Sequence, residues 1–224
     1  MKKLIALLIS GMVFFVCINA FALPINRSFQ DLKLPTQVLL ERQEILNITA
    51  ATTTAVLSSH AGPTSAAART ITSGFTSPVT PRNLTITPDG STGAVNTCTV
   101  TVSGTNILNT AITEEFTFTA DQSTATTGSK AFKTITSIAW AASCEVADYD
   151  ATWSIGTGEK IGLKRCMDYA GNLAWTTVAG AYESTRPTVT ADADEVEKNT
   201  VDFDGTMNGT NDFQVFFLQN FRCL

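Results

Sequence analysis

Residues 72–83 read TSGFTSPVTPRN. Beyond them the chain runs through NLTITP (83–88), CTVTVSGTNI (98–107), EEFTFTAD (114–121), GSKAFKTITSI (128–138) and WSIGTGEKIGL (153–163). In each block Thr or Ser alternates with Val, Ile, Leu or Phe, the two-residue period of a half-buried β-strand. Pro78 and Pro81 mark the opening stretch as a turn, because neither fits the middle of a sheet. Short strands punctuated by Gly, Pro, Asn and Asp turns indicate an all-β sandwich or barrel. The expected fold is a β-sandwich, jelly-roll or immunoglobulin-like, with an extended N-terminal arm. No internal repeat of fixed period is present.

With 224 residues the chain holds one all-β domain, or a smaller domain with extended arms. Its residues are 44% hydrophobic and only 16% charged, so Thr and Ser fill polar positions that Lys and Glu usually occupy. Such a surface suits sheets that pack against neighbouring subunits. The net charge of −5 and pI near 4.9 argue against a general phosphate-backbone binder, so no nucleic-acid partner is expected.

Residues 1–22 form a separate unit. A basic start (Met1, Lys2, Lys3) is followed by an apolar run and then Ala20-Phe21-Ala22, a small-x-small cleavage pattern. This is the pattern of a secretory signal peptide, with a membrane anchor as the other reading if the segment is retained. Residues 23–68 read as an N-terminal arm and linker, with a short helix over 35–48 and a loop over 60–68. Residues 69–224 read as the β-sandwich domain. Without the signal, Cys98, Cys144, Cys166 and Cys223 remain, an even set that in an exported chain predicts two disulfides with three pairings open. Cys98 lies in phase with Val100 and Val102 and should face the core. The apolar run at 213–218 reads as a central strand buried on both faces.

Candidate chemistry is sparse. His60 is the sole histidine and sits in a small-residue stretch, where a solvent-exposed loop position is expected instead of a Ser-His-Asp or Cys-His role. Residues 156–160 (GTGEK) resemble a phosphate-binding loop but lack its spacing and precede a strand, so a β-hairpin turn is expected, with Lys160 on a strand edge. Asp202, Asp204, Asn208 and Asp212 gather oxygen atoms as calcium candidates, against an Asx-rich turn as the default reading. Glu114 and Glu115 are adjacent strand residues that point to opposite faces and cannot act as one acid–base pair. Trp140, Trp153 and Trp175 read as core or subunit-contact residues before a carbohydrate platform. Sequons stand at Asn26, Asn47, Asn83 and Asn208. Neither a catalytic group, a cofactor nor a metal is expected.

The blocks TSGFTSPVTPRNLTI, VTVSGTNILNTAITEEF, GSKAFKTITSI and WSIGTGEKIGL, with the Phe-rich closing strand, resemble a group of tailed-phage virion structural proteins. These are head decoration, head fibre or tail-associated components. The Pro-Arg-Asn at 81–83 and the Gly-x-Gly-x-Lys-x-Gly-Leu at 156–163 are the most distinctive parts. The resemblance implies a non-enzymatic β-rich protein on a virion surface. Its partners would be copies of itself, with a trimer as the first expectation, and major capsid or other virion proteins. The chain departs from the group in its signal-like start and its four remaining cysteines. Both features leave open a secreted or cell-surface binding module, an adhesin, or an extracellular filament subunit.

Overall fold

The computed structural model describes residues 40–63, 67–89, 95–144 and 152–218. In chain order the strands are β1 (Leu40–Ile45), β2 (Thr52–Ala61), β3 (Arg69–Ile71), β4 (Arg82–Asp89), β5 (Cys98–Thr105), β6 (Ala111–Phe118) and β7 (Thr126–Thr127). They continue as β8 (Thr134–Trp140), β9 (Thr152–Gly162), β10 (Leu173–Val178), β11 (Ala181–Tyr182), β12 (Thr188–Thr190), β13 (Thr200–Asp202) and β14 (Phe213–Leu218). The only helical elements among the described residues are short 3-10 turns at Ala142–Cys144, Ala170–Asn172 and Val196–Lys198. The all-β expectation therefore holds. The signal-like segment and residues 23–39 of the expected arm lie outside the described residues.

All the strand pairs are antiparallel, in three sheets ordered β1-β14-β10-β11, β12-β13-β9-β4-β7 (with β2 also on β9) and β3-β8-β5-β6. Sequence alternation becomes burial alternation most cleanly in β5. There Cys98, Val100 and Val102 are buried and Thr99, Thr101 and Ser103 are half-exposed. The core formed by the β2/β4/β9 side and the β5/β6/β8 side contains Leu84, Ile86, Phe116, Ile138, Trp140 and Trp153, with Phe118 meeting Trp153 edge-on at 5.0 Å. A second core gathers Ile45, Ile161, Leu173, Val201, Phe213 and Phe217. Strand β9 serves both, with Ile155 in the first and Ile161 in the second.

Several expectations are corrected here. The helix expected over 35–48 is a strand from residue 40: β1 pairs with β14 in unbroken register from Leu40↔Leu218 to Ile45↔Phe213. The domain boundary at residue 69 also moves, because β1 and β2, from the expected arm and linker, are paired strands of the body. The closing strand β14 is central, between β1 and β10, but only Phe213, Val215 and Phe217 are buried; Phe216 is half-exposed and stacks on Trp175 at 4.8 Å. A hairpin turns at Ala179-Gly180, where both residues have positive φ, between β10 and β11.

Residues 156–158 are not a hairpin turn. They lie inside β9, an eleven-residue strand. Their glycines answer to close approach: a Cβ on Gly156 would overlap the carbonyl oxygen of Thr52, and one on Gly158 would overlap the amide of Asn83. The acidic stretch 192–197 is ordered around a turn. The Asp192 carboxylate accepts from the backbone N–H of Asp194 and Glu195, and Glu197 is buried beside Asn106.

Candidate functional site

The Pro-Arg-Asn at 81–83 and the Gly-x-Gly-x-Lys-x-Gly-Leu at 156–163 meet in one buried joint. Arg82 opens β4 with its guanidinium buried. Its Nε donates to Gly158 O at 2.8 Å, one Nη to Thr49 O at 2.8 Å and the other to Met207 Sδ at 3.7 Å. Its backbone exchanges both hydrogen bonds with Phe132. Among the described residues no carboxylate pairs with the guanidinium. Burial pulls its pKa down, and the nearby Glu159 charge opposes that pull. Asn83 is equally buried: Nδ2 donates to Gly128 O at 3.1 Å and Oδ1 accepts from Lys160 N at 3.0 Å. Arg82 and Asn83 thus clamp β9, the β1–β2 connection and the turn after β7 onto β4.

Over this joint lies a cleft of about 350 Å³, lined by Thr52, Asn83, Thr157, Glu159, Lys160 and Asp202 among others. It is walled by hydroxyls and carboxylates. Asp202 is pushed above the usual carboxylate range by burial and then by Glu159, against an opposing pull from Lys160. Such a lining can hold polar groups or a complementary charge.

The other predicted residues are placed as follows. Cys98 and Cys144 form a disulfide, and Cys98 faces the core as its phase requires. Cys166 is fully buried and also disulfide-bonded; Cys223 lies outside the described residues. The calcium candidates do not converge. Asn208 Oδ1 accepts from Thr210 N, Thr210 Oγ1 and Asn211 N, the Asx-turn pattern, and Asp212 Oδ1 accepts from Asn47 N. Asp202 and Asp204 line adjoining clefts. Among the described residues no group of three or more His, Cys, Asp or Glu side chains is placed to hold a metal ion. Glu114 accepts from the N–H groups of Ser129 and Lys130, while Glu115 faces out on the other side of β6. Trp140 and Trp153 are core residues. Of the sequons, Asn83 is buried with its amide engaged, Asn47 and Asn208 are exposed, and Asn26 lies outside the described residues.

His60 is not a loop residue. It lies on β2 with its ring stacked on Trp140 at 5.5 Å, and its buried Nε2 has no hydrogen-bond partner. Burial, and then the Arg69 charge, lower its pKa below the ordinary 6.5. The folded state therefore disfavours the imidazolium. Stability from this group is fully present above about pH 6.5 and is lost as pH falls through the lower folded-state value. Chemical denaturation of wild type and His60→Phe between pH 7.5 and 5, taken as a difference, should show wild type losing stability relative to the variant on acidification. A difference that stays constant would remove His60 as the cause.

The outer face of the β3-β8-β5-β6 sheet carries small, nearly uncharged residues in register. Thr99 lies opposite Thr117, Ser103 opposite Thr113, and Thr101 between Ala139 and Glu115. The sequence showed this face as the polar half of each alternation. What it did not show is the joint of Arg82 and Asn83 with Gly158 and Lys160, segments that lie more than 70 positions apart in sequence. No protein-family model matches the chain, and no curated protein or solved structure matches it.

Proposed function

We propose that this protein is a non-enzymatic structural subunit that self-assembles on a virion surface, as a capsid decoration or a head- or tail-associated component. The observation that carries the reading is the joint. Pro-Arg-Asn and Gly-x-Gly-x-Lys-x-Gly-Leu, the blocks through which the chain resembles such proteins, serve to lock strands together. The Thr/Ser/Ala sheet face and the low charge supply surfaces that desolvate cheaply against a neighbour. Copies of the chain and other virion proteins are its partners on this reading.

A second reading, a secreted or cell-surface binding module or filament subunit, draws on the Cys98–Cys144 disulfide, which agrees with an exported chain, and on the hydroxyl-lined cleft. Immunogold electron microscopy of native material, with N-terminal sequencing, separates the two. Label in ordered positions on particles supports the virion subunit. A monomer that begins at Leu23 and belongs to no assembly overturns it in favour of the binding module.

A further inference from the structure

Five cysteines stand in the sequence, and the bridge between Cys98 and Cys144 uses two of them. Cys166 is disulfide-bonded as well, so its partner is Cys17 or Cys223, both outside the described residues. A cysteine of another copy has no access to it, because Cys166 is 0% exposed.

The fold places Cys166 beside the end of β14. Lys164 and Arg165, the two residues before it, both pair with Glu41 at 2.9 Å, and Glu41 lies directly opposite Phe217 in the β1–β14 ladder. Cys223 is five residues past Leu218, where β14 ends, and five extended residues reach up to about 17 Å. Cys17 stands 23 residues ahead of Leu40, the first residue of β1, which lies opposite Leu218. Both tethers therefore start from one corner of the sheet. Effective concentration falls roughly as the −3/2 power of tether length, which favours the shorter tether by about tenfold. A chain cut at Ala20-Phe21-Ala22 would carry no Cys17 at all.

We infer that Cys166 is bonded to Cys223. The bond forms by thiol–disulfide exchange: the two thiols give up two protons and two electrons, and the disulfide of an exchange partner in an oxidising compartment is reduced to its dithiol. The chain then carries one staple for each core. Cys98–Cys144 closes the stretch that holds Val100, Phe116, Ile138 and Trp140 of the first core. Cys166–Cys223 closes the stretch that holds Leu173, Val201, Phe213 and Phe217 of the second. Strand β14, which pairs with both β1 and β10, is thereby held beyond its last residue by a covalent bond. The pairing is independent of whether the chain serves as a virion subunit or as a secreted binding module.

Tryptic mapping of the full chain, expressed with its own N-terminal segment and alkylated without reduction, tests this. Trypsin cuts after Arg165, Lys198 and Arg222, and the Arg186–Pro187 bond resists it. Peptide 166–198 should therefore carry the dipeptide Cys223-Leu224 and shed it on reduction. The same peptide joined to one that contains Cys17, Cys98 or Cys144, or alkylated at Cys166 before reduction, overturns the pairing; a Cys17 partner would also mean that the N-terminal segment is retained. In the Cys223→Ala variant one thiol per chain, that of Cys166, should become open to alkylation in denaturant. Amide exchange in β14 of that variant should quicken about tenfold while β5 keeps its rate. Unchanged exchange in β14 would overturn the assignment of this bond as the staple of the second core.

Discussion

Arg82→Ala should lower the unfolding free energy by about 3 kcal/mol or more. The residue is 3% exposed and gives two good hydrogen bonds to carbonyl oxygens, a buried one to Gly158 and a partly buried one to Thr49. Each buried acceptor left without a partner costs about 1–3 kcal/mol, and the loss of the packed aliphatic stem adds to that. For a chain of this size the change corresponds to a fall in Tm of roughly 6–12 °C. Arg82→Lys should recover less than half of the loss, because a single ammonium cannot span acceptors on two different segments. Urea unfolding of the three proteins measures it. A loss under about 1 kcal/mol for the alanine variant would mean that the strands are held without the clamp, and the structural account of the Pro-Arg-Asn block would fall with it.

The joint also shows where sequence reading reaches its limit. Alternation located β4, β5, β6 and β8 because their inward residues are apolar and their outward ones are Thr or Ser, so pattern and burial coincide. It failed at β1, where the inward positions are Gln43 and Ile45. Gln43 is buried as a surrogate for backbone, with Nε2 donating to Gly162 O and Oε1 accepting from Lys164 N. A polar residue on the inward face breaks the period-two signal, and the remaining apolar residues then resemble a helical stripe.

The glycines of β9 misled for a related reason. Local sequence does not distinguish a glycine that bends the chain from one that lets another segment come close, and Gly156 and Gly158 are of the second kind. His60 was misplaced because its partner, Trp140, is 80 residues away. Long-range contacts of this sort leave no periodic trace. The outer sheet face was legible in composition, but its register was not, since register depends on which strands pair.

Replacing both Cys98 and Cys144 with Ala should cost about 4 kcal/mol, the chain-entropy value for a bridge across 46 residues. The bridge joins the first residue of β5 to the 3-10 turn after β8, so it closes a segment that includes β5, β6, β7 and β8 and much of the first core. Both cysteines are buried, and alanine keeps the site apolar, so lost packing adds to the entropic term without introducing an unpaired polar group. The expected drop in Tm is roughly 8–16 °C. Reductant alone would not isolate the effect, because Cys166 is disulfide-bonded as well; the double variant, melted under oxidising and reducing conditions, does. Its own loss on reduction should be smaller than that of wild type by the share that belongs to this bridge. The result bears on compartment. A fold that draws some 4 kcal/mol from one disulfide, against a typical total of about 5–15 kcal/mol, is secure in an oxidising space and marginal in a reducing one. If wild type and the double variant melt together, this bridge contributes nothing to stability, and the inference from its cysteines to an exported chain loses its physical basis.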